Sequence, residues 1–297
     1  MAFKKIREWR GAARTLVLVM AIGTIGIAGP ARAAGAGARS DAGTRVAAPV
    51  RITATSASNS LASKSIVATC PAGQRVYGAG GEINGGGGNV TMDDITPSLA
   101  LNNVLVTAIE NGAFAGNWTV TAYAICGVNT LNLQRIQFTS VTNSVTPKSV
   151  FAGCPSGLRL YGLGAELNGS GGNVFLDDLT PNAGLTGATV TGYENGAFAN
   201  NWNITGYAIC GNPSANMVRR VLTSAAASPV AASATTAACP AGTRVHGVGA
   251  ELNGALGAVV IDDLRPNVGL LTATATGAEN GPFAGNWTVT SYAICSA

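Results

Sequence analysis

The sequence contains few charged residues and almost no histidine. Asp, Glu, Lys and Arg make up 11% of its 297 residues, and there is one histidine; about a quarter of an average soluble domain is charged. This composition argues against a disordered charged chain, a coiled coil and a nucleic-acid-binding protein. One histidine provides no repeated nucleophile–base pair. We therefore expect no enzyme, no catalytic residue, no metal site, no cofactor and no nucleic-acid partner.

The basic residues are concentrated at the N-terminus, where five of the 18 fall within the first fourteen positions. An apolar run over 15–29 follows, and then Ala31-Arg32-Ala33. This order predicts a secretory signal peptide over 1–33; a retained membrane anchor is the alternative, but a spanning helix needs about 20 apolar residues. From Ala34 onward 12 basic residues face 13 acidic ones. We therefore expect a nearly neutral, secreted protein with no membrane span after cleavage.

Three similar segments fill the rest of the chain. Each opens with Cys-Pro-x-Gly-x-Arg and closes with Tyr-Ala-Ile-Cys, and the spacing between these two cysteines is the same in all three segments. The period from one segment to the next varies by a single position. Upstream of the cysteines, Arg51, Arg135 and Arg220 recur at the same intervals. Such self-similarity is typical of repeat architectures. We predict a flexible leader over 34–44 and three repeats over 45–129, 130–213 and 214–297.

The six cysteines are expected to form disulfides, because the chain carries an export signal. Six cysteines allow 15 connectivities, but the repeat leaves two symmetric choices. Either each repeat closes on itself, or bridges join successive repeats and Cys295 returns to Cys70. Closure within the repeat is simpler and is favoured, and it predicts the bridges Cys70–Cys126, Cys154–Cys210 and Cys239–Cys295.

The local pattern is all-β. Segments such as Val104–Ile109, Trp118–Ile125 and Asn89–Ile95 are rich in β-branched and aromatic residues and are separated by Gly-rich or Asn-Gly turns. Each repeat is interpreted as about five short strands without a helix. The fold class is therefore three tandem disulfide-closed antiparallel β units, one for each repeat. The near-constant period favours packing with pseudo-threefold symmetry, as in a β-prism; three separate small β-sandwich modules are the alternative.

The frame Cys-Pro-x-Gly-x-Arg … Trp … Tyr-Ala-Ile-Cys resembles small, mostly uncharacterised modules of exported actinobacterial proteins. The threefold arrangement with one disulfide per repeat is also similar to the β-prism of the vitelline membrane outer layer protein family, although the repeats of that family are shorter. Both resemblances imply an exported, disulfide-stapled β module. Neither implies a reaction, because no catalytic motif carries over to these positions.

The carboxylates are restricted to four repeated positions. Of the 14 acidic residues only Glu8 and Asp41 lie outside them. The structural interpretation is that Arg75, Arg159 and Arg244 each pair with a carboxylate of their own repeat, and that two adjacent aspartates point to opposite faces of a strand. The functional interpretations are hydrogen bonding to sugar hydroxyls and a calcium site, which the sequence disfavours because it has no Asp-x-Asp-x-Asp-Gly loop. The repeated positions are Glu82, Glu166 and Glu251; the pairs Asp93–Asp94, Asp177–Asp178 and Asp262–Asp263; and Glu110, Glu194 and Glu279.

The best candidate ligand sites are the segments Glu-Asn-Gly-x-Phe-Ala-x-Asn-Trp. A tryptophan beside amides and a carboxylate can stack on a sugar ring while its neighbours bind hydroxyls. The competing interpretation is that the tryptophans fill the core. We expect a multivalent, lectin-like binder of polysaccharide or cell-surface glycan; the alternative is a structural, cell-envelope-associated protein. The candidate residues are Glu110, Asn111, Asn117, Trp118, Glu194, Asn195, Asn201, Trp202, Glu279, Asn280, Asn286 and Trp287.

Overall fold

The computed structural model describes residues 48–226 and 232–297. The predicted signal peptide and leader lie outside the described residues. The described part of the chain is all-β, with eighteen strands and no helix. Each predicted repeat contains six strands rather than the five expected, and two of the six precede the first cysteine of the repeat.

The strands are short and antiparallel. The first repeat contributes β1 (Val50–Thr55), β2 (Ser63–Thr69), β3 (Gln74–Asn84), β4 (Val90–Pro97), β5 (Asn103–Glu110) and β6 (Thr119–Val128). The second contributes β7 (Gln134–Thr139), β8 (Lys148–Gly153), β9 (Arg159–Asn168), β10 (Val174–Pro181), β11 (Gly187–Glu194) and β12 (Asn203–Gly211). The third contributes β13 (Val218–Thr223), β14 (Ala232–Ala238), β15 (Arg244–Asn253), β16 (Val259–Pro266), β17 (Thr272–Glu279) and β18 (Thr288–Ser296).

These strands form three six-stranded sheets, and each sheet is shared by two repeats. The strand orders are β1-β6-β3-β16-β17-β14, β13-β18-β15-β10-β11-β8 and β2-β5-β4-β9-β12-β7. Every repeat thus gives three strands to one sheet and three to the next, and the third repeat pairs back onto the first through β16 and β3. The predicted pseudo-threefold prism is confirmed, and its repeats are joined by main-chain hydrogen bonds.

We call the three joints between repeats within a sheet the seams. The first seam is the pairing of β4 with β9, the second that of β10 with β15, and the third that of β16 with β3. Each seam pairs only two residues on each side. The seams are therefore the least regular part of each sheet, and side chains of two repeats meet there.

The inner strands approach one another closely along the threefold axis. A bulge in β3, β9 and β15 directs Tyr77, Tyr161 and His246 towards each other, with ring centroids 5.2–5.9 Å apart. The residue after each ring is glycine, and a Cβ on Gly162 would lie 2.3 Å from the carbonyl oxygen of Tyr77. Only glycine fits this approach. His246 occupies the strand position of Tyr77 and Tyr161.

The three disulfides close each repeat, as predicted. Cys70–Cys126, Cys154–Cys210 and Cys239–Cys295 each span 56 residues, and no free cysteine occurs among the described residues. Each bridge ties the turn before a first inner strand to the strand paired with it. Such bridges indicate an oxidising environment.

The third of the repeated upstream arginines lies one residue before the predicted position. Arg51 and Arg135 stack over Tyr123 and Tyr207, and the third equivalent is Arg219, which stacks over Tyr292. The predicted equivalent, Arg220, is therefore wrong. The alignment shifted because the extra residue of the third repeat lies after this strand, between Thr223 and Cys239, and the flanking residues are similar.

Candidate functional site

The tryptophans of the predicted ligand segments belong to the core. Trp118, Trp202 and Trp287 are at most 1% exposed. Each indole Nε1 donates to the glutamate eight residues before it, at 2.9 Å to Glu110, 2.7 Å to Glu194 and 2.9 Å to Glu279. The predicted stacking of these rings on a sugar is therefore wrong, since neither ring face is accessible. The buried glutamates accept the hydrogen bonds of the indole N–H groups.

Two lysines that the sequence interpretation missed complete this core cluster. The Nζ of Lys64 lies 3.8 Å from the centre of the Trp118 ring and donates to the Trp118 carbonyl. Lys148 stands in the same relation to Trp202, 3.7 Å from its ring. The third repeat has Ser233 at this position. The available signal was that Lys64 and Lys148 occupy the same position of two successive repeats.

The asparagines of the same segments divide into two groups. Asn117, Asn201 and Asn286 are exposed directly before the buried tryptophans. Asn195 and Asn280, in contrast, meet across two repeats at 3.4 Å, and the Asn280 amide donates to the Gly88 carbonyl at 2.7 Å. Asn111 is half-buried. Asn195 and Asn280 therefore join neighbouring repeats, whereas the side-chain amide nitrogen of Asn111 is buried without a partner among the described residues. The three segments thus do not present equivalent polar groups.

The other repeated carboxylates meet at the seams. Asp94 is paired with Glu166 at the first seam, Asp178 with Glu251 at the second and Asp263 with Glu82 at the third. At each seam the glutamate accepts a hydrogen bond from a tyrosine hydroxyl of its own repeat. The tyrosines are Tyr207, Tyr292 and Tyr123, respectively.

The arginines predicted to neutralise these acids do not contact them. Arg75 and Arg159 donate to main-chain carbonyl groups next to them, and Arg244 donates to the Gly269 carbonyl. The one ion pair in 48–226 and 232–297 joins Arg265 to Glu82 at the third seam. The predicted pairing within a repeat is therefore wrong, because these three arginines donate to main-chain carbonyl groups instead.

A β-bulge brings the two adjacent aspartates to the same side. The register with the neighbouring strand shifts at Asp93, Asp177 and Asp262, so that the usual alternation of side chains is interrupted there. At the second seam, Asp177 and Asp178 consequently line one cleft together with Glu251. The expectation that adjacent aspartates point to opposite faces is wrong at this bulge.

The cleft at the second seam is the candidate functional site. Its volume is about 250 Å³, and it is lined on one side by β10 and β11 and on the other by the end of β15 and the following turn. Asp177 is 6% exposed, and no hydrogen bond to its carboxyl group is found in the described part of the chain. The lining residues are Asp177, Asp178, Thr191, Tyr193, Glu251, Leu252, Asn253, Gly254 and Leu256. Such a cleft offers several hydrogen-bond acceptors beside two apolar side chains.

Burial changes the protonation of the seam aspartates. It raises the pKa of Asp177 to about 8, and that of Asp93 and Asp262 to about 7, with a further increase from the adjacent aspartate. Burial likewise raises the pKa of Asp178 to about 6, opposed by a hydrogen bond from Thr191. Because folding removes these groups from water, the folded protein binds protons more tightly than the unfolded chain does.

We expect the protein to become more stable as the pH falls from about 8 to about 5, because the folded state takes up protons in that range and the unfolded aspartates do not. His246 opposes this trend below about 6.5, since burial lowers its pKa to about 4. Thermal unfolding measured across this range should show a rise of several degrees, and Asp93→Asn with Asp262→Asn should reduce it. An unchanged melting temperature would contradict the buried state of these acids.

Comparisons with known proteins do not assign a family. No family model matches the sequence, and no similar curated protein is found. No helix within the described ranges has the length and apolar character to cross a membrane. Within those ranges, no three side chains of the metal-binding types are placed to hold a metal ion. The site is therefore interpreted from its own chemistry.

Proposed function

We propose that this protein is a secreted, non-enzymatic carbohydrate-binding protein whose site is the cleft of the second seam. The observation that carries the proposal is Asp177, a nearly fully buried carboxyl group that lines an open cleft without a hydrogen-bond donor. Buried polar groups in proteins almost always have a hydrogen-bond partner. The carboxyl group of Asp177 is therefore suited to accept a hydrogen bond from a ligand. Sugar hydroxyls provide several such donors on one rigid ring.

The walls of the cleft support the same ligand class. Tyr193 is half-buried and Leu256 is 71% exposed. Small-molecule sites usually combine apolar walls with a few placed polar groups. A sugar ring placed between these two side chains would present its hydroxyls to Asp177, Asp178 and Glu251. The predicted secretion agrees with three disulfides that require an oxidising environment.

The alternative is a structural, envelope-associated protein without a small ligand. The burial of the repeated tryptophans and of their glutamate partners favours it, since those residues maintain the fold. The two functions differ in what the second seam does. Under the structural alternative, the cleft binds no oligosaccharide, and substitutions of its lining residues change only the stability of the fold.

A glycan array followed by titration calorimetry tests the proposal. We expect binding to at least one oligosaccharide and a loss of tenfold or more in affinity for Asp177→Asn, which keeps the size of the side chain but gives the cleft an amide. Asp93→Asn at the first seam is the matched control, because Asp93 accepts a hydrogen bond from Ser170, and it should bind like the wild type. Absence of binding across the array, or release of reducing sugar from a bound glycan, would contradict a non-enzymatic binder.

A further inference from the structure

The three seams have different chemistry despite their common geometry. At the first seam the Ser170 hydroxyl donates to Asp93, and at the third seam Arg265 contacts Glu82 at 2.8 Å. The second seam has Ala255 in place of Ser170 and Thr180 in place of Arg265. It therefore lacks both the Ser170 hydroxyl that donates to Asp93 and the Arg265 guanidinium that donates to Glu82. The third seam also lacks the serine, and one oxygen of Asp262 is buried there without a partner.

The third seam shows which group the second one lacks. There, the guanidinium of Arg265, which is a cation, donates a hydrogen bond to Glu82. At the second seam, Glu251 accepts only from the neutral hydroxyl of Tyr292, and the nearby Arg219 stacks on that ring and donates to the Pro181 carbonyl. The Thr180 hydroxyl is buried without a partner. Three carboxyl groups thus line the cleft with no cation in contact with any of them in the described residues.

The rim of the second cleft is also specialised. Leu256 has a φ of 47° and occupies the turn position of Gly87 and Gly171, whose φ values are 55° and 53°. A leucine in this left-handed conformation costs about 1 kcal/mol or more relative to glycine. Tyr193 replaces Ile109 and Ala278 of the other repeats. Both substitutions add an apolar surface at the same opening.

We infer that the second seam alone forms the ligand site and that it binds a sugar bearing a free ammonium group, an amino sugar. This inference rests on the proposed carbohydrate-binding function and specifies its ligand. The ammonium group donates to the carboxyl groups that line the cleft, which belong to Asp177, Asp178 and Glu251. The apolar face of the ring lies against Tyr193, and Leu256 covers its edge. One chain then has one site rather than three.

Titration calorimetry with three tetrasaccharides of one β-1,4-linked backbone tests the inference. The probes are the tetramers of glucosamine, N-acetylglucosamine and glucose, which carry ammonium groups, acetamides and hydroxyls, respectively. We expect the glucosamine tetramer to bind at least tenfold more tightly than the other two, with one site per chain. Asp177→Asn should lose this preference, and Asp93→Asn should keep it.

Thr180→Arg provides an independent test, because it places at the second seam the residue that contacts the glutamate of the third seam. We expect this variant to fold and to lose at least tenfold in affinity for the glucosamine tetramer, and Arg265→Thr to bind like the wild type. A stoichiometry of three, or full affinity in Thr180→Arg, would overturn the inference.

The probes separate the failure of the inference from that of the proposed function. Equal affinity for all three tetramers would overturn the amino-sugar inference and leave carbohydrate binding intact. Binding of 1,6-diaminohexane as tightly as the glucosamine tetramer would show recognition of an amine without a sugar, which contradicts the proposed function. Absence of binding to every probe would overturn the amino-sugar inference.

Discussion

Gly162→Ala is expected to prevent the three repeats from closing properly. The added methyl carbon would lie 2.3 Å from the Tyr77 carbonyl oxygen and 2.7 Å from the Gly78 Cα, both main-chain atoms of another repeat. Main-chain atoms on a shared axis have little freedom to move, so the strain reaches all three sheets. Overpacking usually costs about 1–3 kcal/mol and at times more. We expect Gly162→Ala to lie at the upper end, with a melting temperature lowered by about 5–10 °C or more.

Thermal unfolding of purified protein, together with the soluble yield, measures this effect. Gly184→Ala is the matched control, because the nearest atom to its added methyl carbon would be 3.8 Å away and its φ is outside the left-handed region. That variant should melt within about 2 °C of the wild type. If Gly162→Ala also melted with the wild type, the close approach of the repeats on the axis would be refuted.

Trp202→Ala is expected to cause the second large loss of stability. Truncating a buried aromatic residue costs about 3–5 kcal/mol. Here it also removes the indole donor of Glu194 and the ring beneath Lys148, so that two buried charged groups lose a partner. We expect a melting temperature lowered by about 10 °C or more, measured by circular dichroism.

Trp287→Ala is the comparison within the chain. Its ring carries no lysine, because Ser233 occupies that position, and the loss should be smaller than for Trp202→Ala. Trp202→Phe should retain most of the packing but not the donor, and it should fall between wild type and Trp202→Ala. Unchanged stability in Trp202→Ala, combined with weaker glycan binding, would restore the tryptophan segments as ligand sites.

Much of the fold was predictable because the three repeats constrain one another. The constant spacing of the cysteines predicted the three disulfides, and the near-constant period predicted a packed threefold arrangement. What the pattern did not contain was which strands pair between repeats. Asp178 and Glu251 are far apart in the numbering and adjacent in the sheet. The axis glycines permit the close approach of the repeats, and their effect appears only after the repeats pack.

The candidate site was less predictable for two physical reasons. A tryptophan beside Asn and Glu occurs both in sugar sites and in buried clusters, so these residues do not distinguish the two. The residue that covers the Trp118 ring, Lys64, lies 54 residues away in the sequence. The second reason is the bulge at Asp177, which defeats the alternation rule used for adjacent aspartates. The available signal was the set of differences between repeats, such as Leu256 in place of glycine and Thr180 in place of Arg265.

Hydrogen–deuterium exchange with and without the glucosamine tetramer tests most directly where the ligand site lies. We predict slower exchange of the main-chain amides in the middle of β10 and in the turn over 253–257, where Asp177, Asp178 and Leu256 lie. The turns over 110–118, 194–202 and 279–287 should exchange at the same rate with and without ligand. Equal protection of those three turns, without protection at the second seam, would contradict a single site between the second and third repeats.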